Sequence, residues 1–342
     1  MSKAYRPILW NILLLVAAFI LSVSVGAIFI PPLTQVRIYL AQLPALQLAA
    51  DWPATFQTIL LQIRLPHAVL VTLVGAALAS SGAAYQGLFR NPLADPYLIG
   101  VSSGAALGAV LAMSFSWPTS WLGLYAIPAA AFLGALGTIL IVYLLARTGK
   151  VVPTTTLILA GVAVSAFATA LTSFLMLRSV GELRRALIWL LGGSLLPGWE
   201  PIAAMLPYLI IGVVLLLAAG HALNVLQFGD DQAQQLGLAV EKWKLLIIFA
   251  ASLTTAAAVA FAGVIGFVGL IVPHIIRIVW GPDYRQLVFL SLFAGASLLL
   301  IADLAARVLD APQVLPVGIV TAMLGAPFFL WILRRSKAQG KW

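Results

Sequence analysis

The 342-residue chain is 63% hydrophobic and only 8% charged, with 19 Lys and Arg against 10 Asp and Glu and a net charge of +9. A soluble domain carries roughly 25% charged residues, so the composition calls for a polytopic membrane protein, whose positive-inside loops explain the basic balance without nucleic acid. The lack of Cys excludes disulfides and thiolate chemistry.

A membrane-spanning helix needs ~20 apolar residues, and uncharged stretches of that order can be taken in turn. Residues 7–36 hold the first span, too long for a signal-peptide core and without a small-residue cleavage site. Residues 65–89 hold the second, and 96–146 the next two, divided at Ser116-Trp117-Pro118-Thr119-Ser120. The fifth lies in 151–177 and the sixth in 201–229. The run 245–276 divides into a full span and a shorter one, 286–302 is a short span, and 311–333 is the last. The expectation is an all-α fold of ten transmembrane helices in a single domain, 1–342, with residues 186–199 a short or re-entrant helix.

Ten spans bring both termini to one side. With the termini inside, Arg37, Arg64, Arg178, Arg184, Arg185 and Arg307 fall outside and the other thirteen of the 19 basic residues inside, Lys3, Lys150, Lys244 and Lys341 among them. That asymmetry sets the orientation with cytoplasmic termini.

Few residues offer chemistry. None of the acids falls near a span centre, Asp95 and Asp303 lying near span ends, so no intramembrane carboxylate suggests ion coupling. Gly149-Lys150 lacks the earlier Gly of a phosphate-binding loop. His67, His221 and His274 share no metal-ligand spacing, no nucleophile–base–acid set is present, and neither a metal site nor an enzyme is expected.

Gly100-x-x-x-Gly104-x-x-x-Gly108 sets three small residues on one helix face, and Gly263, Gly266 and Gly269 precede Pro273, His274 and Arg277 in a run built for close helix packing. The loop at about 226–242 carries a short helix, entered at Gly229-Asp230 and stopped at Gly237. Ala233 and Leu236 are expected on one of its faces, as an apolar patch for a partner.

The chain resembles the iron-chelate, haem and cobalamin (FecCD-type) permeases of ABC importers. The likeness rests on Arg64-Leu65-Pro66, Arg90-Asn91-Pro92-Leu93-Ala94-Asp95-Pro96, Gly100-Val101-Ser102-Ser103-Gly104-Ala105, the 233–237 loop, Gly263–Arg277, Ala302–Arg307 and Leu315–Thr321. It implies the type II importer fold in a bacterial inner membrane. It further implies a second permease subunit in a homo- or heterodimer, two cytoplasmic ATPases docked on the 226–242 loop, and a periplasmic or surface-anchored binding protein. ATP-Mg would belong to the ATPases, with no cofactor on this chain.

By match of motif, Arg64 and Arg307 would receive the binding protein's acids, His67 standing where the family commonly has a second Arg. Thr154 and Thr155 would fall at a cytoplasmic gate. Ser165, Thr169, Thr172 and Ser173 would dot a pathway helix that interacts weakly with its cargo. The implied function is alternating-access import of a metal chelate, read as a ferric siderophore, with haem or cobalamin as alternatives. An ion-coupled secondary transporter is the rival of another class.

Overall fold

The computed structural model describes residues 5–26, 28–43, 51–115, 121–149, 151–178, 182–193, 196–311 and 313–338, and for 121–124, 333 and 335–338 the backbone alone. The division anticipated at 116–120 and three inside cations, Lys3, Lys150 and Lys341, lie outside the described residues.

In chain order the helices are α1 (Arg6–Ser24), α2 (Pro32–Ala41), α3 (Ala54–Thr58), α4 (Leu65–Leu88), α5 (Val101–Met113), α6 (Trp121–Ala146) and α7 (Thr154–Arg178). They continue with α8 (Leu183–Leu190), α9 (Glu200–Ala218), α10 (Gly220–Leu226), α11 (Asp230–Gln235), α12 (Val240–Ala262), α13 (Val268–Trp280), α14 (Tyr284–Val308) and α15 (Val317–Ala338). Among the described residues, seven helices are long and apolar enough to cross a membrane and three shorter ones are apolar, which together make the ten expected.

Several boundaries differ from the sequence reading. The first stretch is two helices, because Pro31 and Pro32 start α2 where an apolar run alone suggested continuity. The second span begins earlier: α3 passes through a π-helical turn, Ile59–Arg64, into α4, giving 35 continuous residues from Ala54 to Leu88. The largest correction is α14, expected short at 286–302 and found to run 25 residues. Asp303 and Arg307 were expected to end the apolar run, but they sit one turn apart and pair, Nε to Oδ2 at 3.0 Å, so the helix carries both charges. The short helix expected within 186–199 lies earlier, as α8 (Leu183–Leu190).

α4, α12 and α14 are the most enclosed helices, and α7 is the least covered of the long ones. Their closeness comes from small residues, the means of association available where lipid is as apolar as the side chains. A Cβ on Gly82 of α4 would land on the Gly269 backbone of α13, and one on Gly104 of α5 would come within 2.5 Å of the Gly134 carbonyl of α6. Gly108 similarly meets the Ala130 carbonyl.

The remaining motif glycines serve the backbone. Gly100 faces Thr138 of α6 as Gly104 does, but it precedes α5 at φ 88° instead of lying within the helix. Gly263 stops α12 at φ 77°, and Gly266 lies in open space in the extended link to α13. Gly263 thus both ends a helix and permits close packing, since a Cβ there would collide with the Trp189 carbonyl, whereas one on Gly266 would meet nothing.

Candidate functional site: a clamp, an uncovered helix and a docking loop

At one end of the bundle α1 stops at Ser24, leaving last-turn carbonyls without intrahelical partners. Two arginines from distant elements supply them. Arg64 Nη1 donates to the Val23 and Ser24 carbonyls, both at 3.0 Å, and Nη2 donates to that of Ile28. Arg307 donates to the Ser22 carbonyl at 3.1 Å, the Ser22 hydroxyl at 2.8 Å and the Val25 carbonyl at 3.2 Å.

Asp303 completes the clamp between Arg307 and His67, whose Nε2 lies 2.9 Å from Oδ1. Arg64, His67 and Arg307 thus come together as the sequence reading grouped them, but not as free outward charges. Arg64 is only 9% exposed. A guanidinium so far from water must spend its donors on the protein itself. Beside the clamp, His67, Asp303, Arg184, Asp310 and Gln313 face a cavity of about 370 Å³.

The flank of the bundle is α7. Thr154 opens this helix, partly covered, and Thr155 is exposed. Farther along, Thr169, Thr172 and Ser173 line a shallow cleft of about 220 Å³ with Ser102, Ser103, Met176, Leu190 and Val264. Ser165 points elsewhere, toward Gly100. Several hydroxyls are already committed: Thr172 donates to Ala168, Ser173 to Thr169 and Ser103 to Gly100. Those three oxygens are left with lone pairs to offer, and no ionised side chain lines the cleft. Ser102 and Ser103 belong to the Gly100–Ala105 motif, which carried the resemblance without pointing to a cleft.

At the opposite end lies the 226–242 loop. Gly229 turns the chain at φ 99°, α11 follows, and Gly237 ends it at φ 85°. Here the expected patch divides. Ala233 is fully buried, because α11 presses it inward, whereas Leu236 is 67% exposed and Phe228, which the sequence reading passed over, is 63% exposed. The loop thus holds two large apolar side chains out from an otherwise polar segment.

Beneath the loop Lys244, expected among the inside cations, is buried; its Nζ meets Asp230 at 2.5 Å and Glu241 at 3.2 Å. Glu241 also accepts a hydrogen bond at 3.0 Å from the Val152 backbone, two residues before α7. Nearby, Asp283 caps α14, and its hydrogen bond with Arg285 holds its carboxyl at about 2. Groups of three or more potential metal ligands are absent among the described residues.

Comparison with known proteins points one way. The model of the FecCD transport family matches residues 14–335. An uncharacterized ABC transporter permease protein of Bacillus subtilis, YvrB, is 39% identical over 341 residues, covering 99% of this chain and 96% of its own. The cobalamin import system permease protein BtuC of Halobacterium salinarum is 47% identical over 84% of this chain and 76% of its own. The hemin transport system permease protein HmuU of Yersinia pestis is 43% identical over 82% and 84%. A solved structure described as an inward-facing conformation of a metal-chelate type ABC transporter superposes with a TM-score of 0.80 at 30% identity, covering 96% of this chain and 98% of that one.

Proposed function

The chain belongs to the FecCD transport family, a membrane permease of the ABC importer kind, and on that premise we propose that it carries a ferric siderophore across a bacterial inner membrane. Import proceeds by alternating access, with two such subunits paired and both termini in the cytoplasm. Two partner ATPases, which hold ATP-Mg, dock on the loop around Phe228 and Leu236. A binding protein delivers the chelate at the end that carries the clamp.

The observation that carries the reading is α7. It is long and apolar, yet it is the least covered of the long helices, with a hydroxyl-lined cleft on its exposed flank. A helix left open in one subunit is suited to face a second across a shared pathway. Acceptor oxygens without a fixed charge suit a bulky polar cargo that has to leave as easily as it enters. Cobalamin and haem fit the same chemistry, and two of the relatives are permeases for them.

Docking at the clamp is a different matter from the single free arginines of the sequence reading. In this conformation Arg64 and Arg307 are bonded to carbonyls of α1, so a binding protein's carboxylates would have to exchange with those carbonyls or rely on the more exposed Arg184 and Arg185.

The test is reconstitution with cognate ATPase and binding protein, offering a ferric hydroxamate, ferric citrate, haem and cyanocobalamin in parallel. Chelate-stimulated ATP hydrolysis and uptake are expected with a ferric siderophore and only with all components present. Stimulation by haem or cobalamin alone would reassign the cargo. Uptake by the permease alone under a proton or sodium gradient would overturn the ABC mechanism.

A further inference from the structure

We propose that Lys244 and Glu241 are positioning residues that link the 226–242 loop to the start of α7, so that displacement of the loop is felt at Thr154 and Thr155. This rests on the reading of the loop as the ATPase contact and of α7 as the pathway helix. Three chain segments meet here: Asp230 at the head of α11, the first turns of α12 that follow it, and, 89 residues before Glu241, Val152 leading into α7.

The ammonium of Lys244 is buried, and a buried cation persists only when paired on the spot. Its partners are the two carboxylates of Asp230 and Glu241, 2.5 and 3.2 Å away. Glu241 uses its other oxygen, Oε2, for the Val152 N–H. Among the described residues this is the hydrogen bond that runs from α12 to the segment entering α7. A loop that served only to connect spans would have no need of a desolvated cation. A solvated Lys at position 244 would satisfy the charge bias equally well.

The geometry gives the link a direction. α12 is one of the most enclosed helices and acts as a fixed post, while α11 stands at the exposed surface. Movement of α11 pulls on Asp230, re-aims the Lys244 ammonium between its two carboxylates, and strengthens or releases the hold of Glu241 on Val152. Two residues later the chain becomes the gate end of α7.

The chain has no Cys, so Thr155→Cys supplies a single thiol reporter in the full complex with its ATPase. The rate of maleimide labelling is read with and without ATP in this parent and in the same background carrying Glu241→Ala, Glu241→Gln, Lys244→Met or Lys244→Arg. Co-purified ATPase and its hydrolysis rate are measured alongside.

Glu241→Ala and Lys244→Met are expected to keep the complex and its hydrolysis but to shrink the ATP-dependent change in labelling ~10-fold, as for loss of a coupling contact. Lys244→Arg should restore most of it. The isosteric Glu241→Gln, which still accepts from Val152, should lose part and guards against misfolding. A full ATP response in the assembled Glu241→Ala or Glu241→Gln complex would overturn the link. No ATP response in the Thr155→Cys parent would instead count against the underlying reading of α7.

Discussion

Removing Arg64 separates a structural clamp from a docking charge. In the folded chain its guanidinium bonds three carbonyls, and two of them belong to Val23 and Ser24, both buried. A hydrogen bond to a charged group contributes ~1.5–3 kcal/mol, and a buried carbonyl left unpaired costs about 1–3 kcal/mol. The Ser24 carbonyl also accepts from the Ile30 N–H at 3.1 Å and stays paired, so the Val23 carbonyl is the one left without a partner; allowing for some relaxation, Arg64→Ala should lose about 2 kcal/mol, roughly a 30-fold fall in the folded-to-unfolded ratio.

A rim arginine gives a very different figure: an exposed ion pair contributes ~0–1 kcal/mol. Arg37, 42% exposed in its side chain and paired with Asp51, supplies the internal reference. The assay is the fraction of detergent-solubilised permease that remains monodisperse after heating, for wild type, Arg64→Ala and Arg37→Ala. Arg64→Ala should fail at clearly lower temperature and Arg37→Ala near wild type. If Arg64→Ala survives heating as well as Arg37→Ala while affinity for the binding protein drops, the clamp argument is refuted and Arg64 is a docking residue.

Leu236→Asp should leave the permease folded and abolish co-purification of its ATPase, because the change is confined to an exposed apolar residue; Ala233→Asp buries a carboxylate and should instead reduce the yield of folded permease. Recovery of intact complex with Leu236→Asp would remove this residue from the interface. Gly82→Ala should destabilise by about 1–3 kcal/mol or more in the same heating assay, since the added methyl meets Gly269 backbone that cannot swing away. Asp95, in the link between α4 and α5, has its carboxyl pushed up to about 6 by burial, against the opposing hydrogen bond from Tyr97 N–H. Its contribution is therefore complete below the ordinary carboxyl range and lost as pH rises through about 6. Stability should rise as pH falls from 7 to 5 and flatten in Asp95→Asn, whose oxygen can still accept from Tyr97; an unchanged pH profile would exclude Asp95 as its source. Asp283, held at about 2, does not titrate in that window.

Membrane residence and the number of apolar helices were legible in composition and run length, because lipid imposes its thickness on every span. The order of motifs likewise pointed to the family. Partnership between distant charges was not legible. Arg64 and Arg307 stood in the sequence as isolated cations near span ends, and only folding brings them to the last-turn carbonyls of Val23 and Ser22 in α1. The one local clue was the four-residue spacing of Asp303 and Arg307, which allows a pair on a helix and therefore allows α14 to continue beyond the apolar run.

The loop shows the same division between local and tertiary information. Gly229 and Gly237 bracket α11 as their spacing indicated. Which face of a six-residue helix turns inward, however, depends on what lies beneath it. Ala233 is inside and Leu236 outside, although three-residue spacing could set both on one face, because α11 ends at Gln235 and Leu236 already lies past its end. For the same reason Lys244 read as a loop cation: charge counting assigns it to a side of the membrane but cannot see Asp230 and Glu241 closing around it. In a chain with so few charges, each one withdrawn from solvent has a specific partner, and those pairings hold α1 against α14 and the loop against the entrance to α7.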